Sequence, residues 1–194
     1  MKAPALPIAA QRLIALARPL RATRHDEAAG CCLARCLEIA VEARARLGLN
    51  VALVRWTIVD DAGHLDHWAV RLDGERVIDP THLQVDGRSA LVWRIASYPE
   101  NFTQPAQYPA ALLIEPYRAS LAIDPSRLTQ RFMRTCAWRL FRADLQRARQ
   151  TRDARSAMRA CANLSSRLRG ALLSAATRAL QQRRAALHAR LLCA

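Results

Sequence analysis

The 194-residue chain predicts an α+β fold in which an amphipathic helix leads into a β-meander and an Arg-rich helical region follows. Three observations carry this. Apolar residues recur near helical spacing between Gly30 and Gly48. Three short runs between Val51 and Asp79 are rich in Val, Ile, Trp and Thr and are separated by Asp and Gly. After Ser120 the helical spacing returns, with Leu128, Phe132, Cys136 and Leu140 four residues apart. Hydrophobic residues make up 52% of the chain, enough to build a core. The length suits one sizeable domain or a core with an appended helical unit. We divide it into 1–118, the core, and 119–194, the basic helical region.

Taken in order, Ile8 to Leu20 suits an N-terminal helix packed on the core. From Gly30 to Gly48, Leu33, Leu37, Ala40 and Leu47 mark one helix face, which Cys36, Ile39 and Val41 widen. Gly48 is the expected left-handed C-cap. Gly30 occupies the expected N-cap, which places Cys31 and Cys32 in the first turn. Unpaired backbone N–H groups and the helix dipole favour a thiolate there. The same N–H groups can receive an oxyanion. Cys36 lies a turn deeper on the apolar side and reads as core. Cys32 is the favoured nucleophile and Cys31 the alternative.

Val51 to Val59 reads as a strand, Asp60-Asp61-Ala62-Gly63 as a turn, Leu65 to Arg71 as a second strand and Glu75 to Asp79 as a third. A three-residue loop Leu72-Asp73-Gly74, with Gly74 left-handed, pairs Arg71 with Glu75. His67 then falls opposite Asp79 on the same face, with Cβ atoms roughly 5 Å apart. A one-residue slip would put them on opposite faces. A thiol, an imidazole and a carboxylate thus arrive in the order Cys32, His67, Asp79. These are the parts of an activated nucleophile, with a base to take its proton and a carboxylate to orient the base.

A helix opening with Cys, then His67-Trp68-Ala69-Val70, then Ile78-Asp79-Pro80-Thr81, resembles the transglutaminase-like superfamily of papain-like cysteine enzymes. The run Cys32-Leu33-Ala34-Arg35 and the short His67-to-Asp79 spacing also resemble the leader peptidases that process lasso-peptide precursors. The resemblance covers residues 28–82. It implies a papain-like core, a Cys-bearing helix packed on an antiparallel sheet. It also implies acyl transfer from an amide of a peptide or protein: cleavage, deamidation or transamidation. The larger transglutaminases hold the oxyanion with a Trp upstream of the Cys. No Trp precedes Trp56 here, so the donor stays open. In the lasso peptidases the triad lies near the C-terminus, whereas more than a hundred residues follow it here.

Ala90 to Ser97 suits a further strand. Tyr98 to Pro109 reads as a Pro-punctuated loop, and a long loop inside a domain often borders a substrate groove. There is no internal repeat and no Gly-rich phosphate loop, and no cofactor is expected. No run of eighteen apolar residues exists, so no transmembrane helix is expected. The N-terminus is a weak match to a signal peptide, and six unevenly spaced cysteines fit reduced thiols in a cytoplasmic setting.

From Ser120 onward, 16 Arg stand against Asp124, Asp144 and Asp153, so nearly all of the net charge of +14 lies there. A second apolar stripe runs through Leu173, Ala176, Leu180, Leu187 and Leu191, past a break at Gly170. Such a region is either a packed helical wall or a surface for an acidic partner. With few aromatics to stack bases, nucleic acid is not favoured. Two other functions stay open beside acyl transfer. One is a non-catalytic basic adaptor on the same fold. The other is a structural zinc site from Cys31, Cys32, Cys36, His64 and His67, although no C-x-x-C pair is present.

Overall fold

The computed structural model describes residues 6–28, 30–60, 63–88, 90–102, 105–124 and 128–151. Helix α1 (Ile8–Ala17) buries Leu13 and Ala17 and ends in a 3-10 turn (Arg18–Leu20) around Pro19. A single turn, α2 (His25–Ala28), leads to α3 (Cys32–Leu47). Leu33, Cys36, Leu37, Ile39, Ala40 and Ala43 form the buried face of α3, as the periodicity predicts. Gly48 closes it in the left-handed conformation (φ 66°), its N–H donating to the Ala43 carbonyl. The start of α3 differs by one residue from the expectation. Cys31, not Gly30, is the N-cap. Gly30 lies one step earlier at φ +70°, where a side chain would be strained, and turns the chain into the helix.

Strands β1 (Ala52–Asp60), β2 (Gly63–Arg71), β3 (Arg76–Ile78), β4 (Val92–Arg94) and β5 (Ala106–Pro109) form an antiparallel sheet in the order β4-β3-β2-β1-β5. Asp60 pairs with Gly63, as a two-residue turn requires; residues 61–62 of that turn lie outside the described residues. The region 90–97 is a strand only at β4, after which the chain coils into a 3-10 turn (Ile95–Ser97). The expected loop from Tyr98 to Pro109 contains a strand. Strand β5 pairs with β1 at the sheet edge, where a proline lacking its N–H is tolerated.

The β2–β3 hairpin corrects the expected register. Val70 pairs with Ile78 and Arg71 with Val77, two residues on from the predicted partners. Leu72 N–H donates to the Arg76 carbonyl, so the loop is Asp73-Gly74-Glu75. Gly74 is not left-handed. The Asp73 side chain shapes the turn instead: its Oδ1 accepts the N–H groups of Glu75 (2.9 Å) and Arg76 (2.7 Å). A two-residue shift preserves facing, so His67 and the residue at 79 stay on one side of the sheet.

That side carries Val54, Trp56, Ala69, Val77 and Trp93, with Ile95, Tyr98 and Phe102 packed against them. On the other side Arg55 is buried and pairs with Asp66 at 2.8 Å, its guanidinium lying over the Trp68 ring.

The first compact unit runs over Met1–Arg139, so the division expected at 118 falls inside α5 (Ala111–Leu121). Pro116 sits inside α5 and cannot donate to the Leu112 carbonyl. Arg139 Nη1 donates to it instead, at 2.9 Å. Helix α6 (Gln130–Thr151) starts at Thr129, whose hydroxyl accepts the Phe132 N–H as an N-cap. Phe132 and Cys136 are buried, as their spacing predicts. In the second unit (Leu140–Ala194) the described helix carries an Asp144–Arg147 pair at 3.5 Å. Gly170 and the stripe from Leu173 to Leu191 lie outside the described residues. Among the described residues no helix is long and apolar enough to cross a membrane.

Candidate active site

The Asp79-Pro80-Thr81 segment leaves β3 as a pinned turn. Asp79 N–H donates to the Leu91 carbonyl, and the Pro80 carbonyl accepts the Ala22 N–H. Thr81 turns both its N–H (3.0 Å) and its hydroxyl (3.2 Å) onto Asp79 Oδ1. That occupies one oxygen and aims the other, Oδ2, at three donors. These are His67 Nε2 at 2.7 Å, the Tyr98 hydroxyl at 2.6 Å and His82 Nδ1 at 3.2 Å. Asp79 is fully buried. Burial alone would raise its pKa, but the hydrogen bonds from His67 and His82 hold it well below the carboxylate range. Asp79 is therefore an anion throughout the neutral range.

His67 stands opposite Trp56 in the sheet and is 1% exposed. The rings of Trp56, Tyr98 and Phe102 surround it at 6.0, 5.9 and 5.7 Å. Burial works against a charged ring, yet the hydrogen bonds to Asp79 and Cys32 and their negative charge outweigh it. They raise the pKa of His67 to about 9.

Cys32 is the first residue of α3 and is 7% exposed. Its Sγ also lies 3.7 Å from the Asp66 carbonyl. Cys31, at the N-cap, is half-buried. Cys36 is fully buried one turn on, its Sγ 3.3 Å from the Trp68 carbonyl. Burial drives the Cys36 thiol far above its usual pKa, and nearby Asp79 adds to the effect. Cys136 is likewise pushed up to about 12, mainly by burial. Both remain protonated thiols at neutral pH.

The three residues singled out from the sequence thus come together: Cys32 on His67, and His67 on Asp79. Three others at the site were not singled out. His82 stacks on Trp93 with ring centroids 3.3 Å apart while it donates to Asp79. The sequence places Tyr98 only in a loop expected to border a groove. Gln84, in the single turn α4 (Leu83–Asp86), sets its Nε2 3.1 Å from His67 Nδ1. The spacing Thr81-x-x-Gln84, about one helical turn, is the sequence signal that could have found it. Of the residues weighed for zinc, the His64 side chain lies outside the described part. Among the described residues no group of three His, Cys, Asp or Glu is placed to hold a metal.

No protein-family model, curated protein or solved structure matches this chain. The site geometry therefore stands by itself.

Proposed function

We propose that this protein is a cysteine-dependent acyl-transfer enzyme acting on an amide of a peptide or protein, on a papain-like, transglutaminase-like core. One observation carries the reading. His67 is hydrogen-bonded to a buried carboxylate through Nε2 at 2.7 Å and to Cys32, so one ring links the thiol to a fixed anion.

The chemistry then runs in two halves. The Cys32 sulfur bonds to the amide carbon with the proton of the thiol–imidazole pair held on His67, and the carbonyl electrons move onto oxygen. The C–N bond breaks as the ring returns that proton to the departing amine, leaving a thioester on Cys32. Water or an amine next attacks the thioester carbon, giving its proton to His67, and the C–S bond breaks with the proton returning to sulfur. Asp79 stays ionised and fixes the ring through Nε2–H.

The test is limiting iodoacetamide at neutral pH, read by intact mass and peptide mapping. Cys32 is expected to alkylate first, well ahead of Cys36 and Cys136, whose buried thiols stay protonated. His67→Ala should slow that reaction by about 10²-fold, the scale of losing a general base. Preferential labelling of Cys31 would move the nucleophile by one residue. A folded protein in which Cys32 resists alkylation would instead favour the basic adaptor.

A further inference from the structure

Two imidazoles share one carboxylate oxygen at this site. Asp79 Oδ2 lies 2.7 Å from His67 Nε2 and 3.2 Å from His82 Nδ1. Both nitrogens donate, because an ionised carboxylate can only accept. His82 is 2% exposed, and its ring lies flat on Trp93, 21° from parallel. The stack fixes the ring and keeps its Nδ1–H aimed at Oδ2. His82 thus acts on His67 through that oxygen. The titratable groups bonded to His67 itself are Asp79, at the end of β3, and Cys32, in α3. Tyr98, after β4, donates to the same Oδ2, and Cys36 in α3 stays a neutral thiol. The Arg88 guanidinium lies 4.8 Å from the centroid of the Trp93 ring that backs His82.

The two halves of the reaction ask opposite things of His67. In the first half the ring holds the proton of the thiol–imidazole pair. In the second half it must take a proton from water while the sulfur is part of a neutral thioester. Acylation removes the Cys32 hydrogen bond and charge that help to keep the ring protonated. Asp79 remains, and its anion still favours the protonated ring, which is no base. A donor on Oδ2 stabilises the carboxylate and weakens its hold on the His67 proton. We infer that His82 is a positioning residue for the reaction: by donating to Asp79 Oδ2 it aims that oxygen at His67 and lessens its pull on the ring proton, which frees the ring to act as base when the acyl group leaves Cys32. A general base works best when its proton affinity matches the working pH, and this moderation serves that end.

The inference rests on Cys32 being the nucleophile, and p-nitrophenyl acetate separates the two ideas. The reagent acetylates Cys32: the S–C bond forms, the C–O bond breaks and p-nitrophenolate leaves. Once excess reagent is removed, water attacks the acetyl carbon and gives a proton to His67. The C–S bond then breaks, the proton passes to sulfur and acetic acid leaves. Loss of the acetyl group, read by intact mass across pH, follows the fraction of neutral His67. His82→Phe keeps a ring for Trp93 but has no donor. Its deacetylation midpoint is expected to rise by about 0.5–1 pH unit, so that the rate near neutral pH falls about three- to tenfold. His82→Asn loses the stack but can set an amide N–H where Nδ1 stood. It should return the midpoint toward the wild-type value even though its Tm falls. His82→Leu, also without a donor, replaces the phenylalanine variant if that one does not fold. Midpoints that stay at the wild-type value in the donorless variants, or that move equally in His82→Asn, overturn the inference. A wild-type deacetylation rate with no such midpoint would remove His67 as the base, and the inference with it. Wild-type Cys32 that takes up no acetyl group would defeat the acyl-transfer reading itself.

Discussion

Asp79 accepts hydrogen bonds from four residues while fully buried: His67, His82, Tyr98 and both donors of Thr81. A carboxylate removed from water needs this, since each unmatched buried polar atom costs free energy. The arrangement explains which site residues could be found from the chain alone. Cys32, His67 and Asp79 are recognisable because their side-chain types imply roles and their order fits one chemistry. Tyr98 and His82 carry no such mark. Their roles depend on the direction in which tertiary packing points them, and periodicity does not encode that. Tyr98 gives a direct test. Tyr98→Phe keeps the ring stacked on Trp56, now 4.3 Å between centroids, but deletes the 2.6 Å bond to Asp79. The variant is expected to lose about 1–3 kcal/mol in urea denaturation followed by Trp fluorescence. Unchanged stability would mean that water or another donor replaces the hydroxyl.

At the scale of elements, the β2–β3 hairpin shows why an imperfect expectation still put the right residues together. The side-chain period of a strand is two, so facing survives any even shift in register. The sequence marks Asp-Gly as a turn but does not say which residues flank it. That choice is made by the Asp73 carboxylate, which gathers two backbone N–H groups and also takes the Arg76 guanidinium at 2.6 Å. Strand β5 was missed for a related reason. Its four residues, Ala106 to Pro109, are too few and too proline-marked to show alternation, and only pairing with β1 makes them a strand. The hairpin supplies its own prediction. Asp73→Ala should cost about 1 kcal/mol, chiefly through the lost backbone hydrogen bonds, because the partly exposed ion pair is worth little. That corresponds to a drop in Tm of roughly 2–4 °C. Asp73→Asn keeps a side-chain oxygen for both N–H groups and should recover most of it. Equal melting of the two variants would show that the ion pair, not the Asx turn, holds the loop.

For the whole molecule, the buried His67–Asp79 pair ties stability to pH. The folded pKa of His67, about 9, lies above its ordinary 6.5. The folded chain therefore holds that proton more tightly than the unfolded chain does. The resulting stabilisation is complete below pH 6.5 and is lost as pH rises through about 9. Asp79 behaves in the opposite sense. Its folded pKa is depressed below 3.8, so its contribution is present above that pH and fades as pH falls toward the depressed value. The acid side is crowded, because protonating the 16 Asp and Glu residues also uncovers the repulsion among the many arginines. The alkaline side is cleaner, since Arg keeps its charge throughout. All four tryptophans, Trp56, Trp68, Trp93 and Trp138, lie within Met1–Arg139, so their fluorescence follows the unit that contains the site. Melting followed in this way should show a Tm that declines from pH 6.5 to pH 9 in the wild-type protein. His67→Gln should start from a lower Tm and decline less over the same range. Parallel declines would assign the alkaline loss to other groups and remove the buried pair as its source.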